Sequence, residues 1–325
     1  MLVTASNLTI SVITPTLSRP EEIKGMIQNL GEMKYLPKEV IYVDGAPKSD
    51  NRTQKIIKNL DNNLPFKVVY IRSGGGTAVQ RNIGIEEAKC DLISFIDDDI
   101  RLEIDFFNII VHHFQNPKNN DIGGIVGYRT NEHINASNHK RWYWYKKLGI
   151  YSNFEPGKFD YKTGYPINAN LQPPFTGTRE VDFMTTACAV WRREVLDDGF
   201  RFDEFFKNYG VLEDAHFSLR AGKKWKLIQA GDARCVHLRS VSSRESSYLV
   251  ASKTAINYRY VFIDIIPSRT ITQEFRFWSV QLFDLCHFIV YAICNWKKEN
   301  WLKVLGKLVG IFKAIPLSKN KFHTQ

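Results

Sequence analysis

The chain is poor in cysteine, with five in 325 residues and no CxxC pair among them. An odd set, Cys90, Cys188, Cys235, Cys286 and Cys294, argues against a disulfide framework, and their spacing argues against a zinc ribbon. A reducing, cytoplasmic setting is therefore expected. Residues Met1 to Ile10 lack a basic segment followed by an apolar one, so no secretory signal is read and the mature chain is expected to begin near Met1. An uninterrupted apolar run of bilayer length is missing as well: Phe275 to Cys294 is broken by Arg276, Asp284 and His287, each costly at a bilayer centre, so no transmembrane helix is read. The absence of a GxxxxGK[ST] loop argues against a P-loop ATPase. Internal repeats are absent too.

What is present is a hydrophobic fraction of 44%, enough for a sizeable core in one large domain with an appendage or in two modest ones. The net charge of +10 points to an acidic partner: nucleic acid, an anionic membrane surface or a phosphate-bearing substrate. Nucleic acid is disfavoured. The aromatic run Arg141–Tyr145 (RWYWY) is not part of an interleaved basic and aromatic stripe, and a cluster of acids described below would repel a phosphate backbone.

Short β-rich runs alternate with helical patterns over the first 130 residues. Strands are expected at Leu8–Thr14, Glu39–Asp44, Phe66–Arg72, Asp91–Asp97 and Ile122–Tyr128, with helices at Pro20–Gly31, Asn51–Asp61, Thr77–Lys89 and Glu103–Gln115. That rhythm predicts an α/β fold with a mostly parallel sheet. Ligands of such sheets bind beyond the carboxyl ends of the strands, which singles out Pro15, Thr16, Asp44, Arg72 and the run Asp97-Asp98-Asp99. Residues 130–180 lose clear periodicity and read as a loop-rich substrate region. Thr185–Val195, a helix at Leu212–Ala221 and two β-like runs, Trp225–Gln229 and Ala233–Leu238, restore it. The expected organisation is a nucleotide-binding and catalytic domain over 1–245, then a helical, basic region over 246–325.

Three adjacent carboxylates after the buried strand Ile93–Ile96 repel one another unless a cation neutralises them. Oxygen ligation with room for substrate phosphates suits Mg2+ or Mn2+. The alternative is an acidic helix start. Gly74-Gly75-Gly76 invites a sugar nucleotidyltransferase reading, but such a phosphate loop is expected after the first strand and this one follows the third. Glu213-Asp214 open a helix after Gly210, where acids also serve as caps.

Together, Pro15-Thr16, Asp44, Arg81-Asn82-x-Gly84 running into Phe95-Ile96-Asp97-Asp98-Asp99, and Glu213-Asp214 resemble family 2 glycosyltransferases of the GT-A fold over roughly residues 8–240. The resemblance implies a metal-dependent, inverting transfer from a nucleotide-diphosphate sugar, expected to be a UDP-sugar, to a glycan or polyprenol-linked hydroxyl. By the same resemblance Asp97 approaches the ribose or uracil side, Asp99 binds Mn2+ or Mg2+, and Asp98 joins substrate binding. Thr16 and Asp44 border the nucleoside, with Arg72 and Arg81 as nearby cations. Asp44 departs from the frequent double-acid form, because Gly45 follows it. Asp214 is the base that takes the acceptor's proton, with Glu213 beside it on the substrate side. His237 is a further metal ligand, and Arg239 and Arg244 lie in a loop that closes on the diphosphate.

Residues 269–325 carry nine Lys and Arg against three Asp and Glu. Within Trp296–Ile315 the apolar residues, from Trp301 to Ile315, share one helical arc, while Lys303, Lys307 and Lys313 lie opposite. That pattern fits a helix lying on an anionic membrane surface, peripheral on the inner face of the cell membrane, or equally a helix packed on the domain with solvated lysines.

Overall fold

The computed structural model describes residues 7–60, 64–206, 210–240 and 245–317. The chain divides into two compact units. One gathers Met1–His133, Pro173–Gly210 and Phe217–Ser243; the other gathers Ile134–Gln172, Val211–His216 and Arg244–Gln325. The helical part of the chain therefore includes two segments drawn from before residue 245.

The first unit is a mixed sheet flanked by helices. Its strands are β1 (Ile10–Thr16), β2 (Glu39–Asp44), β3 (Lys67–Arg72), β4 (Leu92–Ile96), β5 (Ile100–Leu102) and β6 (Ile122–Arg129). After the hairpin strands β7 and β8 of the other unit come β9 (Thr178–Glu180), β10 (Cys188–Arg192) and β11 (Lys226–His237). Their spatial order is β3-β2-β1-β4-β10-β6-β11-β5, with β9 paired to β11. Strands β3, β2, β1 and β4 run parallel, and β10 runs antiparallel to both β4 and β6. β1, β2 and β4 are buried at every position, as expected of parallel strands covered on both faces. Helix α1 (Pro20–Gly31) begins with Pro at its first position and Glu21 and Glu22 in its first turn, both favourable at a positive helix end, and buries Ile23, Met26, Ile27 and Leu30. α2 (Arg52–Leu60), α3 (Thr77–Glu87), α4 (Phe106–Gln115) and the short α6 (Arg193–Asp197) complete the flanking layers.

Two elements differ from expectation. The runs after Trp225 form one continuous strand, β11, with a register shift between Gln229 and Arg234 where the apolar pattern lapses. Thr185–Val195 is strand β10 followed by α6.

The second unit holds α5 (Lys140–Lys147), the hairpin β7 (Phe159–Asp160) and β8 (Tyr165–Pro166), α8 (Ser247–Ile265), α9 (Ile271–Cys294) and α10 (Lys298–Ala314). The aromatic run at 141–145 is helical, and Trp142 and Tyr145 enter a core with Tyr151, Tyr165, Phe262 and Phe277. The rings of Phe262 and Phe277 stack at 4.6 Å and those of Tyr165 and Tyr258 at 4.3 Å. Helix α10 packs closely on α8: a Cβ at Gly306 or Gly310 would come within 2.3 or 2.4 Å of the Tyr248 or Ser252 carbonyl oxygen.

Lys307 corrects the helical-wheel reading. It is buried, 2% exposed, with its Nζ 2.5 Å from Gln281 Oε1 and 3.5 Å from Asp284 Oδ2, and Asp284 also meets Arg141 at 2.8 Å and the Tyr145 hydroxyl. The charge inside α9 is thus neutralised within the protein. α9 is long and apolar enough by length and composition to cross a membrane, yet a third of its most apolar window is buried in this unit.

Gly84 fixes the approach of α3 to β1, because a Cβ there would lie 2.3 Å from Ile13 Cγ2. Gly84→Ala is therefore expected to destabilise by about 1–3 kcal/mol through overpacking, in spite of alanine's better helix propensity. Urea denaturation checks this, and a gain in stability would show that β1 and α3 have room to part.

Candidate active site

The parallel strands end along one edge of the sheet, and the residues that follow them form the site. Asp97, Asp98 and Asp99 occupy the turn between β4 and β5 rather than a helix start. Each carboxylate has its own partner. Asp97 Oδ1 lies 3.0 Å from Arg81 Nη2, and the Asp97 side chain is a third exposed, while Arg81 is buried with its guanidinium 5.5 Å from the Phe202 ring. Asp98 is buried, accepting from the Thr16 hydroxyl at 2.6 Å and from Arg19 Nη1 at 2.8 Å. Asp99 is buried too; its Oδ1 lies 3.2 Å from His237 Nε2, and its Oδ2 accepts from the Ser240 amide at 3.0 Å.

Burial dominates Asp98 and pushes its carboxyl up to about 6 against the pull of Arg19 and Thr16. Burial also opposes ionisation of Asp99, but the bonds from His237 and Ser240 with the Arg19 charge outweigh it and hold Asp99 below the usual carboxylate range. His237 sits between two acids, with Nδ1 2.8 Å from Glu132 Oε1. Its bonds to Asp99 and then Glu132 raise it to about 9, so the ring holds a proton that balances the carboxylates and that a cation on Nε2 would have to displace. Glu132 is in turn held down at about 2: burial is its largest influence and is overcome by His237, Arg129 and Arg239.

The donor set fits a hard divalent cation. Octahedral ligands at magnesium-like bond lengths stand about 3 Å apart when adjacent, and Asp99 Oδ1 and His237 Nε2 are 3.2 Å apart. Glu132 behind Nδ1 orients the ring so that Nε2 faces Asp99, the carboxylate–histidine support common at metal sites. No group of three ligating side chains is found among the described residues; a cation held by Asp99 and His237 would keep positions for phosphate and water.

The other strand ends are more enclosed. Pro15 and Thr16 end β1 opposite Val43 and Asp44 of β2. Asp44 is fully buried, accepting from the Ala46 amide at 2.9 Å and from the Tyr70 hydroxyl at 3.0 Å. Gln80, a residue given no role from sequence, ties the two strand ends by donating to the Thr16 and Val43 carbonyls at 2.9 and 2.8 Å. Arg72, expected as a cation near the nucleoside, donates from its guanidinium to the carbonyls of Pro47 and Asp50 at 2.5 and 2.8 Å and to Asn51 Oδ1 at 3.1 Å, so it clasps the loop after β2. Arg239 bonds Glu132 at 3.0 Å, and Arg244 lies outside the described residues.

In the second unit, Glu213 is buried and opens α7 (Glu213–Ala221), with Asp214 Oδ1 accepting from the Ala215 amide at 2.7 Å. Helix α8 anchors this segment twice. Asn257 Nδ2 donates to the Val211 carbonyl at 2.9 Å, and Asp264 Oδ2 meets His216 Nε2 at 3.0 Å. Among the described residues three non-glycines have positive φ: Ser18 at 55°, Leu212 at 72° and Arg239 at 56°. Each stands within two residues of Thr16, Asp214 or His237, and such backbone strain concentrates at functional sites.

Sequence reasoning missed Arg19 and Glu132. Arg19 lies three residues beyond a flagged strand end, at the start of α1, which is a usable signal. Glu132 lies in the irregular region and is 105 residues from its histidine, so nothing local marks it.

A mostly parallel sheet flanked by helices, with an acidic turn at the end of β4, is the architecture of GT-A glycosyltransferases. Residues 11–200 match the model of the family described as Glycosyl transferase family 2, and the chain belongs to that family. It is 24% identical over 233 residues to the uncharacterized glycosyltransferase YwdF of Bacillus subtilis (strain 168), covering 70% of this chain and 73% of that one. Its fold is shared by S. aureus TarS 1-349 in complex with UDP-GlcNAc, at TM-score 0.53, 15% identity and coverage of 95% and 82% of the two chains. It is likewise shared by the mannosyltransferase PcManGT from Pyrobaculum calidifontis in complex with GDP-Man and Mn2+, at TM-score 0.57, 13% identity and coverage of 98% and 88%. The protein is a glycosyltransferase.

Arg19→Met is expected to destabilise by roughly 3 kcal/mol, since it leaves Asp98 a buried charge without its cation. Asp98→Asn in that background should recover much of the loss, giving a coupling of about 1 kcal/mol or more in urea denaturation of the four variants. Strictly additive effects would show the two to be independent.

Proposed function

We propose that the protein is a metal-dependent, inverting glycosyltransferase that moves a sugar from a UDP-sugar to a hydroxyl of a glycan or polyprenol-linked acceptor on the cytoplasmic side. The observation that carries this reading is the division of labour in the acidic turn: Asp97 stays partly exposed, Asp98 braces β1, and Asp99 faces His237. Asp99 and His237 would hold Mn2+ or Mg2+, which supplies charge neutralisation for the diphosphate leaving group. PcManGT, of the same fold, is solved with Mn2+ and GDP-Man, and TarS with UDP-GlcNAc. Uracil and ribose suit hydrogen-bond acceptors such as Asp97, with Thr16 and Asp44 bordering them.

Asp214 takes the proton of the acceptor hydroxyl as its oxygen attacks the anomeric carbon. The bond from that carbon to the diphosphate breaks, the nucleoside diphosphate leaves, and the configuration inverts with no covalent intermediate. Arg81 holds Asp97 in place for the nucleoside, and Arg19 and Thr16 fix Asp98 so that the turn presents its neighbours in one geometry.

Two measurements separate the roles. Asp99→Ala should abolish Mn2+-dependent binding of the UDP-sugar by calorimetry, whereas Asp214→Asn should retain binding and lose roughly 100- to 10,000-fold in turnover. Equal loss of donor affinity in both variants would remove Asp214 from the role of base. Glu132→Gln should weaken Mn2+ binding about 10- to 100-fold through misorientation of His237, and unchanged affinity would show the Glu132 contact to be dispensable.

A further inference from the structure

The outward face of α9 is mostly apolar, with Ser279, whose hydroxyl donates to the Phe275 carbonyl, as its polar member. Phe275, Leu282, Val290 and Ile293, at spacings of seven, eight and three, fall on one side of the helix and are 73%, 55%, 59% and 58% exposed. Cys286 lies on the same stripe and is exposed. The edge of α10 and the turn before it extend this surface through Phe312 at 69% and Trp296 at 78%. Gln281 and Asp284 of α9 lie on the other side, buried with Lys307 and Arg141. Apart from Arg276 near its start, α9 thus turns its central charge inward and large apolar side chains outward, the reverse of an ordinary surface helix.

The rim is basic. Arg276 lies near one end of α9 and Lys297 and Lys298 follow the other, all exposed; Lys313 is exposed near the end of α10, with Glu299 the one exposed acid of α10. A short turn joins the two helices, and the contacts of Lys307 with Asp284 and of Asn300 Nδ2 with the Asn295 carbonyl make them antiparallel neighbours, so the cations bracket the apolar face at both ends. A second copy of this chain is a poor occupant, because a twofold contact would set these like charges against one another. An anionic lipid layer matches both parts, with apolar side chains entering the acyl boundary and lysines meeting phosphate headgroups.

We propose that the α9 face, continued by the exposed edge of α10, docks the protein on an anionic bilayer, lying in the interface without spanning it. Spanning is disfavoured by the Asp284, Lys307 and Arg141 network, which a lone α9 in hydrocarbon would have to break or carry along. The proposal does not depend on the sugar-transfer reading. It differs from the pattern of α10 taken alone, whose residues Val304, Gly306, Lys307, Gly310 and Ala314 are buried within the unit.

The test is co-sedimentation of the full chain with phosphatidylcholine vesicles with and without phosphatidylglycerol. Binding is expected to the anionic vesicles, to weaken in high salt and to be released by alkaline carbonate. Leu282→Glu with Val290→Glu, both at exposed positions, should lower vesicle binding at least tenfold with an unchanged thermal midpoint, and Lys297→Ser with Lys298→Ser should lower it on the anionic vesicles. Wild-type sedimentation of the glutamate variant would overturn the proposal. So would resistance to carbonate, which would mean spanning, or a wild-type dimer that the glutamate variant converts to monomer without any vesicle binding.

Discussion

Electrostatic repulsion among three consecutive carboxylates governs how this site is built. Two unit charges about 6 Å apart at an effective dielectric near 20 repel by roughly 3 kcal/mol, so the triad is tolerable only where cations are brought to it. The fold brings a different one to each acid. Arg81 arrives on α3, Arg19 from the end of β1 and His237 from the end of β11. Because each cation comes from a separate element, neutralising the turn also locks the sheet edge together. Gln80 adds a neutral brace between the first two strand ends.

This arrangement separates the acids by accessibility as well as by charge. Asp98 is so enclosed that burial outweighs its own guanidinium partner, which marks it as a brace. Asp99 keeps its charge through His237, and that histidine is aimed by Glu132 on its far nitrogen. The chain thus needs an acid–histidine–acid series to present one carboxylate in a fixed pose. The left-handed backbone at Ser18 and Arg239 lets the chain turn sharply beside Thr16 and His237.

Much of the α/β half was legible in the sequence, and for a physical reason. Strands β1, β2 and β4 are buried on both faces and stand between helices with clear starts, so α1 and β2 fall at the residues that periodicity and capping mark. The acidic turn, Asp214 and His237 stood out because charged residues directly after apolar runs are rare without a purpose. What escaped notice depends on distant neighbours. The partnership of β10 with both β4 and β6 carries no local signal, and neither does the pairing of Glu132 with His237. Arg72 stood out as a cation at a strand end, but position does not reveal that loop carbonyls surround it. The α10 wheel misled for a related reason: periodicity marks a buried face, yet a long lysine can bury its ammonium when an aspartate waits on the adjoining helix.

The segment from Val211 to His216 is fastened to α8 at both ends, by Asn257 and by Asp264, although its neighbours in the chain on both sides group with the sheet. Anyone recombining this enzyme with a relative therefore has three separate segments to exchange rather than one. A chimera that exchanges the helical segments around 134–172 and after residue 244, but leaves 211–216 behind, would seat the foreign α8 against a carboxylate-bearing turn it never co-evolved with. The natural unit of exchange is discontinuous in the gene and continuous only in space.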